Sequence, residues 1–131
     1  MSKNITCLLI DDDNDDYEIF CIALGQVAPS VVCVYAEDGI RALQKLNTDH
    51  SFHPHLIFID INMPRMNGVQ CLSEIKKIER LQNVPVYMYS TSANKSLAEK
   101  CRQMGATDYM VKSASIGEIE ETLARILAQL Q

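Results

Sequence analysis

The sequence lacks the features that mark disulfide-stabilised, membrane-spanning and nucleic-acid-binding proteins. Its five cysteines are odd in number and scattered, and no Cys-x-x-Cys pair occurs, so neither a disulfide framework nor a zinc site is indicated. No basic stripe occurs, and a net charge of -5 argues against a nucleic-acid surface. The first apolar run, residues 5–10, is far shorter than a signal-peptide core or a membrane span. We therefore expect a cytoplasmic protein that binds neither nucleic acid nor membrane.

Internal repeats, low-complexity tails and linkers are also missing, and 131 residues leave no room for a second domain. A composition of 47% hydrophobic and 22% charged residues suits one globular domain spanning residues 1–131, with no output domain attached. The histidines at 50, 53 and 55 invite a metal interpretation. However, no Cys or Glu completes a site around them.

What the sequence does contain is a strand followed by a helix, five times over. Short apolar runs predict strands at residues 5–10, 31–35, 56–59, 84–89 and 106–111. Segments with apolar residues at helical spacing follow each of them. Such alternation predicts an α/β fold, a doubly wound five-stranded parallel sheet with helices on both faces and right-handed crossovers.

Capping residues mark several helix ends. Asp13 or Asn14, Asp38, Asn94 and Ser115 are the predicted N-caps, the last in a capping box with Glu118. Asp15 and Asp16 suit the positive end of the first helix dipole, which accounts for part of the acidity there. The third helix is predicted to run through Arg80, and Gly105 to end the fourth.

The stretch from residue 56 to residue 68 delivers one carboxylate to the edge of the sheet. Four apolar residues read as a strand buried on both faces, and Asp60 follows them. Open α/β sheets place their ligands at the carboxyl ends of strands, so Asp60 is a candidate for chemistry. An Asp after a strand is also a common turn former or helix cap.

Polar residues of a particular kind end four of the five strands. They are Asp11 with Asp12, Asp60, Ser90 and Lys112. Adjacent carboxylates repel each other unless a cation offsets them, and three carboxylates form a hard oxygen site suited to Mg²⁺. The backbone carbonyl of Asn62 is a plausible further ligand, while Lys112 and Ser90 could hold phosphate oxygens. The set indicates phosphoryl transfer, with an Asp as nucleophile that carries the group as an acyl phosphate.

These motifs, in this order and at this spacing, resemble the receiver domain of the two-component response regulators. The type is the stand-alone one typified by the chemotaxis regulator, with a flavodoxin-like fold. The resemblance spans essentially the whole chain. It is carried by Ile10-Asp11-Asp12, by Asp60-Ile-Asn-Met-Pro-x-Met-x-Gly, by Ser90 and by Lys112.

The resemblance implies a role for each of these residues. Asp60 would be the phosphoacceptor, and Asp12, Asp60 and the Asn62 carbonyl would ligate Mg²⁺, with Asp11 acting largely through water. Ser90 would be the switch hydroxyl, and Lys112 would pair with the phosphoryl group. Tyr109 matches the aromatic switch position, whose ring turns inward as the hydroxyl residue moves.

One position departs from the family pattern. The family usually has a proline after the lysine, joined by a cis bond, and here the residue is Ser113. A cis bond to a non-proline residue costs about 2.5 to 4 kcal/mol. The sequence leaves both a cis and a trans Lys112–Ser113 bond open, and with them the way in which Lys112 reaches the phosphate.

The main hypothesis is a phosphorylation-controlled signalling module. A histidine kinase would donate phosphate to Asp60, and the domain would then bind a protein target or relay phosphate to a histidine phosphotransfer protein. It would catalyse its own phosphorylation and dephosphorylation without turning over an independent substrate.

Three alternatives remain beside it. An aspartate-nucleophile hydrolase needs a second Asp two residues after the nucleophile, where this chain has Asn62. A receiver-like module that binds partners without phosphorylation is disfavoured by the intact acids, although Ser113 keeps it open. Flavin binding lacks a hydroxyl or glycine-rich phosphate loop after the first strand.

Overall fold

The strands form where short runs of apolar, β-branched and aromatic residues occur. The computed structural model describes residues 5–113 and 115–130; residues 1–4 and 131 at the ends of the predicted domain, and Ala114, lie outside the described residues. The strands are β1 (Thr6–Ile10), β2 (Val32–Ala36), β3 (Leu56–Asp60), β4 (Val86–Ser90) and β5 (Asp108–Val111). All five predicted strands are therefore confirmed, with bounds that shift by one or two residues.

Helices follow the strands in the predicted alternation. They are α1 (Asn14–Val27), α2 (Gly39–Thr48), α3 (Gly68–Lys76), α4 (Lys95–Gln103) and α5 (Ile116–Gln129). Side chains cap α1, α2, α4 and α5 at the predicted residues, which are Asp13, Asp38, Asn94 and Ser115. Gly105 follows the end of α4 with φ 108°, a conformation that glycine adopts without strain. A reciprocal capping box between Asn67 and Gln70, which was not predicted, begins α3.

The prediction that the third helix runs through Arg80 is wrong. Helix α3 ends at Lys76, and extended backbone at Ile78 separates it from a 3₁₀ helix, Glu79–Leu81. The guanidinium of Arg80 donates to the carbonyl of Phe52 at 2.9 Å and to the carbonyl of Leu46 in α2. Carbonyls in the last turn of a helix lack hydrogen-bond partners within that helix. Arg80 therefore supplies a donor to the end of α2 and does not interact with the dipole of α3.

The sheet is parallel throughout, with strand order β2-β1-β3-β4-β5. Alternate residues of β1 enter different cores: Leu8 and Ile10 pack with α2, α3 and α4, whereas Cys7 and Leu9 pack with α1 and α5. The predicted doubly wound, flavodoxin-like architecture is confirmed. Among the described residues, no helix is both long and apolar enough to cross a bilayer. All five cysteines are free thiols.

Gly68 closes the loop that follows β3. Its N–H donates to the carbonyl of Ile61 at 2.8 Å, which brings the start of α3 onto the end of the strand. A Cβ at this position would lie 2.4 Å from the carbonyl oxygen of Asp60 and 2.6 Å from Cα of Ile61. Both are backbone atoms, so a side chain here can be accommodated only if the loop or the strand moves.

We expect Gly68→Ala to lower the free energy of unfolding by about 1–3 kcal/mol, the usual cost of overpacking. Gly25→Ala is the matched control, since Gly25 lies within α1 and its Cβ would meet nothing within 4 Å. That control should gain about 0.5–1 kcal/mol from helix propensity. Urea denaturation of both variants measures the difference, and equal stabilities would contradict the close approach at Gly68.

Candidate functional site

The carboxyl ends of the strands bring the predicted residues to one edge of the sheet. The adjacent strands β1 and β3 lead to Asp11 and Asp60, β4 ends at Ser90, and Lys112 follows β5. The exposed fractions of Asp11, Asp60 and Ser90 are 0%, 4% and 1%. Burial of polar groups is costly unless they are paired, so such a cluster is typical of a functional site.

Three carboxylates at this edge have the geometry of a cation site. Asp11, Asp12 and Asp60 each offer one oxygen, and these oxygens all lie within 4.8 Å of one another. Oδ2 of Asp11 is fully buried and has no aligned hydrogen-bond donor within the described part of the chain. Carboxylate oxygens are the ligands that Mg²⁺ prefers in proteins, so the donor set fits this ion. Asp12 is exposed, which leaves one side of the cluster open to solvent.

Lys112 supplies the positive charge within the site. Its Nζ lies 3.0 Å from Oδ2 of Asp11, 2.7 Å from Oδ2 of Asp16 and 3.3 Å from Oδ1 of Asp60. The side chain is only 8% exposed, and Nζ also lies 5.2 Å from the centre of the Tyr89 ring. Lys112 therefore lies at the same edge as the carboxylates, and its pairing with a phosphoryl group stays a prediction.

Asp16 was predicted only as a favourable charge at the start of α1, and the structure adds it to the site. Its carboxylate makes the shortest of the three contacts to Lys112 Nζ. The signal available in the sequence was that α1 starts directly after Asp11 and Asp12, so its first turn must lie beside the strand ends. Which of the first-turn carboxylates faces Lys112 depends on helix orientation, which residue spacing does not give.

The charges in the site shift its pKa values. Burial and the neighbouring Asp11 carboxylate raise the pKa of Asp60 to about 7, although Lys112 acts in the opposite direction. Burial likewise raises the pKa of Asp11 above its usual range. Burial lowers the pKa of the Lys112 ammonium, but its contacts with the Asp16 and Asp11 carboxylates outweigh burial, so the net shift is upward. One ammonium is therefore insufficient to stabilise all of the carboxylates as anions.

A chain of hydrogen bonds links the Ser90 hydroxyl to Tyr109. Oγ of Ser90 accepts from the N–H of Ser92 at 3.1 Å. The hydroxyl of Tyr109 donates to the carbonyl of the same residue, Ser92. The two predicted switch residues thus bond to one residue of the β4–α4 loop.

Asn62 contacts the site through its N–H, which donates to Oδ1 of Asp60 at 3.4 Å.

The loop after Lys112 has a trans geometry. No cis peptide bond occurs in the described ranges 5–113 and 115–130, so the Lys112–Ser113 bond is trans. The N–H of Lys112 donates to the carbonyl of Ser90 at 2.6 Å, and Oγ of Ser113 accepts from the N–H of Ser115 at 3.0 Å. The lysine reaches the carboxylates from this geometry without the proline that is usual in the family.

The histidine segment plays no part in the site. Nδ1 of His55 accepts a hydrogen bond from the N–H of Thr6 at 3.0 Å, which ties the β3 entrance to β1. The acidic cluster at the sheet edge contains no histidine.

Comparison with known proteins identifies the family of this chain. The response regulator receiver domain family matches residues 7–124. The two-component response regulator ORR13 of Oryza sativa subsp. japonica is 32% identical over 116 residues, which cover 88% of this chain and 93% of that protein. Rice proteins described as two-component response regulator-like PRR73 are 29% identical over 118 residues, and the match covers only 15% of their length.

Solved structures show the same architecture. The phosphorylated cyanobacterial phytochrome response regulator RcpA is 26% identical, with a TM-score of 0.85 over 95% of this chain and 91% of that one. The Vibrio cholerae chemotaxis protein CheY4 shares the fold at 22% identity, with a TM-score of 0.82 over 98% of this chain and 100% of that one. The family match, the fold and the acidic edge agree, and the chain belongs to the response regulator receiver domains of two-component signalling.

Proposed function

We propose that this receiver domain accepts a phosphoryl group from a histidine kinase on Asp60 with Mg²⁺. In that state it binds a protein target, or it relays the phosphate to a histidine phosphotransfer protein. The observation that carries the proposal is the position of Asp60, which belongs to the acidic cluster and lies 3.3 Å from the ammonium of Lys112. The proposal includes a cytoplasmic location and an output through protein partners rather than nucleic acid.

Asp60 is better suited to be the acceptor than the other two acids of the cluster. Asp11 is completely buried, so an external phosphodonor has no access to it. Asp12 is exposed, and no contact joins it to Lys112 in the described part of the chain. Asp60 combines partial access with an ammonium 3.3 Å from one oxygen. That ammonium can stabilise the negative charge that develops on the phosphoryl oxygens during transfer.

The acidic cluster is the proposed binding site for the metal ion. Asp11, Asp12 and Asp60 would hold Mg²⁺, and the Asn62 carbonyl is the proposed further ligand. When bound, the ion neutralises charge and orients phosphoryl oxygens. Because the pKa of Asp60 is raised to about 7, the cation also favours the ionised form that is needed for nucleophilic attack.

The hydroxyl residues provide the proposed switch. In the proposed switch, the Ser90 hydroxyl moves toward a phosphoryl group on Asp60 and away from the N–H of Ser92, from which it accepts at 3.1 Å. Because Tyr109 bonds to the carbonyl of Ser92, the movement also changes the anchor of the aromatic ring. The chemistry at the sheet edge would in this way reach the surface formed by β5 and its neighbours.

A hydrolase function and a phosphate-independent function are less well supported. Asn62 occupies the place of the second acid of an aspartate-nucleophile hydrolase, and an amide has no proton to give at neutral pH. Ser113 was the reason to consider a module that binds partners without phosphorylation. Lys112 nevertheless lies within reach of Asp60, which favours the phosphorylated module.

Incubation with acetyl phosphate tests the acceptor. The wild type should gain one phosphoryl group by intact mass in Mg²⁺ and none in chelator, and Asp60→Asn should gain none in either. Equal incorporation by Asp60→Asn would place the acceptor elsewhere. A folded wild type that gains nothing would favour the constitutive module, and turnover of an aryl phosphate in excess over protein would favour the hydrolase.

The raised pKa of Asp60 predicts a pH-dependent stability in metal-free buffer. Between an ordinary pKa of 3.8 and the folded value of about 7, the native state holds a proton that the unfolded state has released. The free energy of unfolding should therefore fall as pH rises through this window and then level off. We expect Asp60→Asn to be more stable than the wild type at pH 8 by about 1–3 kcal/mol, and to lose this advantage near pH 4.

Urea denaturation at pH 4 and pH 8 in chelator measures this change. Addition of Mg²⁺ at pH 8 should narrow the difference, because the ion binds the native wild type more tightly than the variant. An advantage of the variant that is the same at both pH values would contradict the assignment of the shift to Asp60.

A further inference from the structure

We propose that Asp16 is a positioning residue that tethers Lys112 to α1 and thereby sets the rate at which Asp60 is phosphorylated. The inference rests on the proposed function and adds a residue to it. Asp16 lies outside the acidic cluster that fits the cation, so its role is separate from metal binding.

Contacts within the first turn of α1 fix the position of the tether. The N–H of Asp13 donates to Oδ1 of Asp11 at 2.9 Å, and the N–H of Asp16 donates to Oδ1 of Asp13 at 3.2 Å. Oδ2 of Asp16 then accepts from Nζ of Lys112 at 2.7 Å. A continuous set of bonds therefore connects the metal cluster, the helix cap and the lysine.

Lys112 needs such a tether because its side chain is long and follows an edge strand. An unrestrained lysine loses much side-chain entropy when it is held in one place. Its backbone is fixed to Ser90, but the connection after it runs through a trans bond to Ser113. Asp16, whose side chain is 31% exposed, meets the lysine from the solvent side of the buried site.

The three contacts of the Lys112 ammonium indicate its role while the phosphoryl group is transferred to Asp60. A Lys ammonium has three hydrogens, and the contact to Asp60 is the longest of its three at 3.3 Å. During transfer, an oxygen of Asp60 forms a bond to phosphorus while the bond from phosphorus to acetate breaks, and acetate leaves with the electron pair. The ammonium then donates a hydrogen to a phosphoryl oxygen, with no proton transferred, while its contacts with Asp16 and Asp11 persist.

Removal of the tether should slow this step. With Asp16→Asn, a neutral amide oxygen replaces the carboxylate, and the ammonium is drawn onto Asp11 and Asp60 alone. We expect the rate of phosphorylation by acetyl phosphate in saturating Mg²⁺ to fall about tenfold, because a displaced ammonium makes a weaker contact with the transition state. Intact mass at successive times measures the rate, and calorimetric titration should give a Mg²⁺ affinity within about threefold of the wild type.

Asp15→Asn is the matched control. Asp15 is the adjacent residue in the same helical turn, it is exposed, and the substitution removes the same charge. It should be phosphorylated at the wild-type rate. A fall of equal size in Asp15→Asn would attribute the effect to net charge and overturn the proposal.

A double-mutant cycle separates the tether from a general structural effect. If Asp16 acts through Lys112, then Asp16→Asn should have no further effect on the rate in a Lys112→Ala background. A full tenfold effect in that background would overturn the proposal, as would an Asp16→Asn variant that matches or exceeds the wild-type rate. Failure of the wild type itself to accept phosphate would instead reject the proposed function. Circular dichroism of each variant confirms that it is folded.

Discussion

The structure depends on like charges being held together at one edge of the sheet. Asp11 and Asp60 are buried side by side, and Lys112 is the ammonium that reaches both of them. In water such carboxylates would separate or remain solvated, but here burial raises their pKa values instead. A divalent cation would complete this unequal set of charges. The proposed affinity of the site for Mg²⁺ follows from a repulsion that the fold maintains.

The hydrophobic cores maintain that repulsion. Strands β1 and β3 are apolar on both faces and are covered by helices on both sides, so neither strand can move to relieve the charges at its end. The backbone of Gly68 packs against the end of β3 and fixes the loop after Asp60. The packing that gives stability is thus also what positions the carboxylates, and the free energy lost at the site is offset by apolar burial elsewhere.

Much of this arrangement could be predicted from the sequence, because short apolar runs determine the strands and apolar residues at helical spacing determine the helices. Apolar runs with a polar residue at the end predicted the strands, and parallel pairing then required Asp11, Asp60, Ser90 and Lys112 to share an edge. The part that was not readable involves side chains that meet across the fold. Asp16 pairs with a lysine 96 positions away. Arg80 lies outside α3, and its guanidinium donates to the carbonyl of Leu46 in α2. The rotation of α1 and the end of α3 are set by tertiary contacts, which outweigh local propensity.

Ser92 shows how the local chemistry can reach the surface. Its N–H bonds to the buried Ser90 hydroxyl and its carbonyl accepts from the half-buried Tyr109, so one residue is shared by both. Moving Ser90 toward a phosphoryl group would leave that N–H without its partner, and the loop must then rearrange to satisfy it. Rearrangement also alters the acceptor of the Tyr109 hydroxyl. In the proposed function, contact between Ser90 and the phosphoryl group therefore changes the surface near Tyr109, because both residues form hydrogen bonds with Ser92.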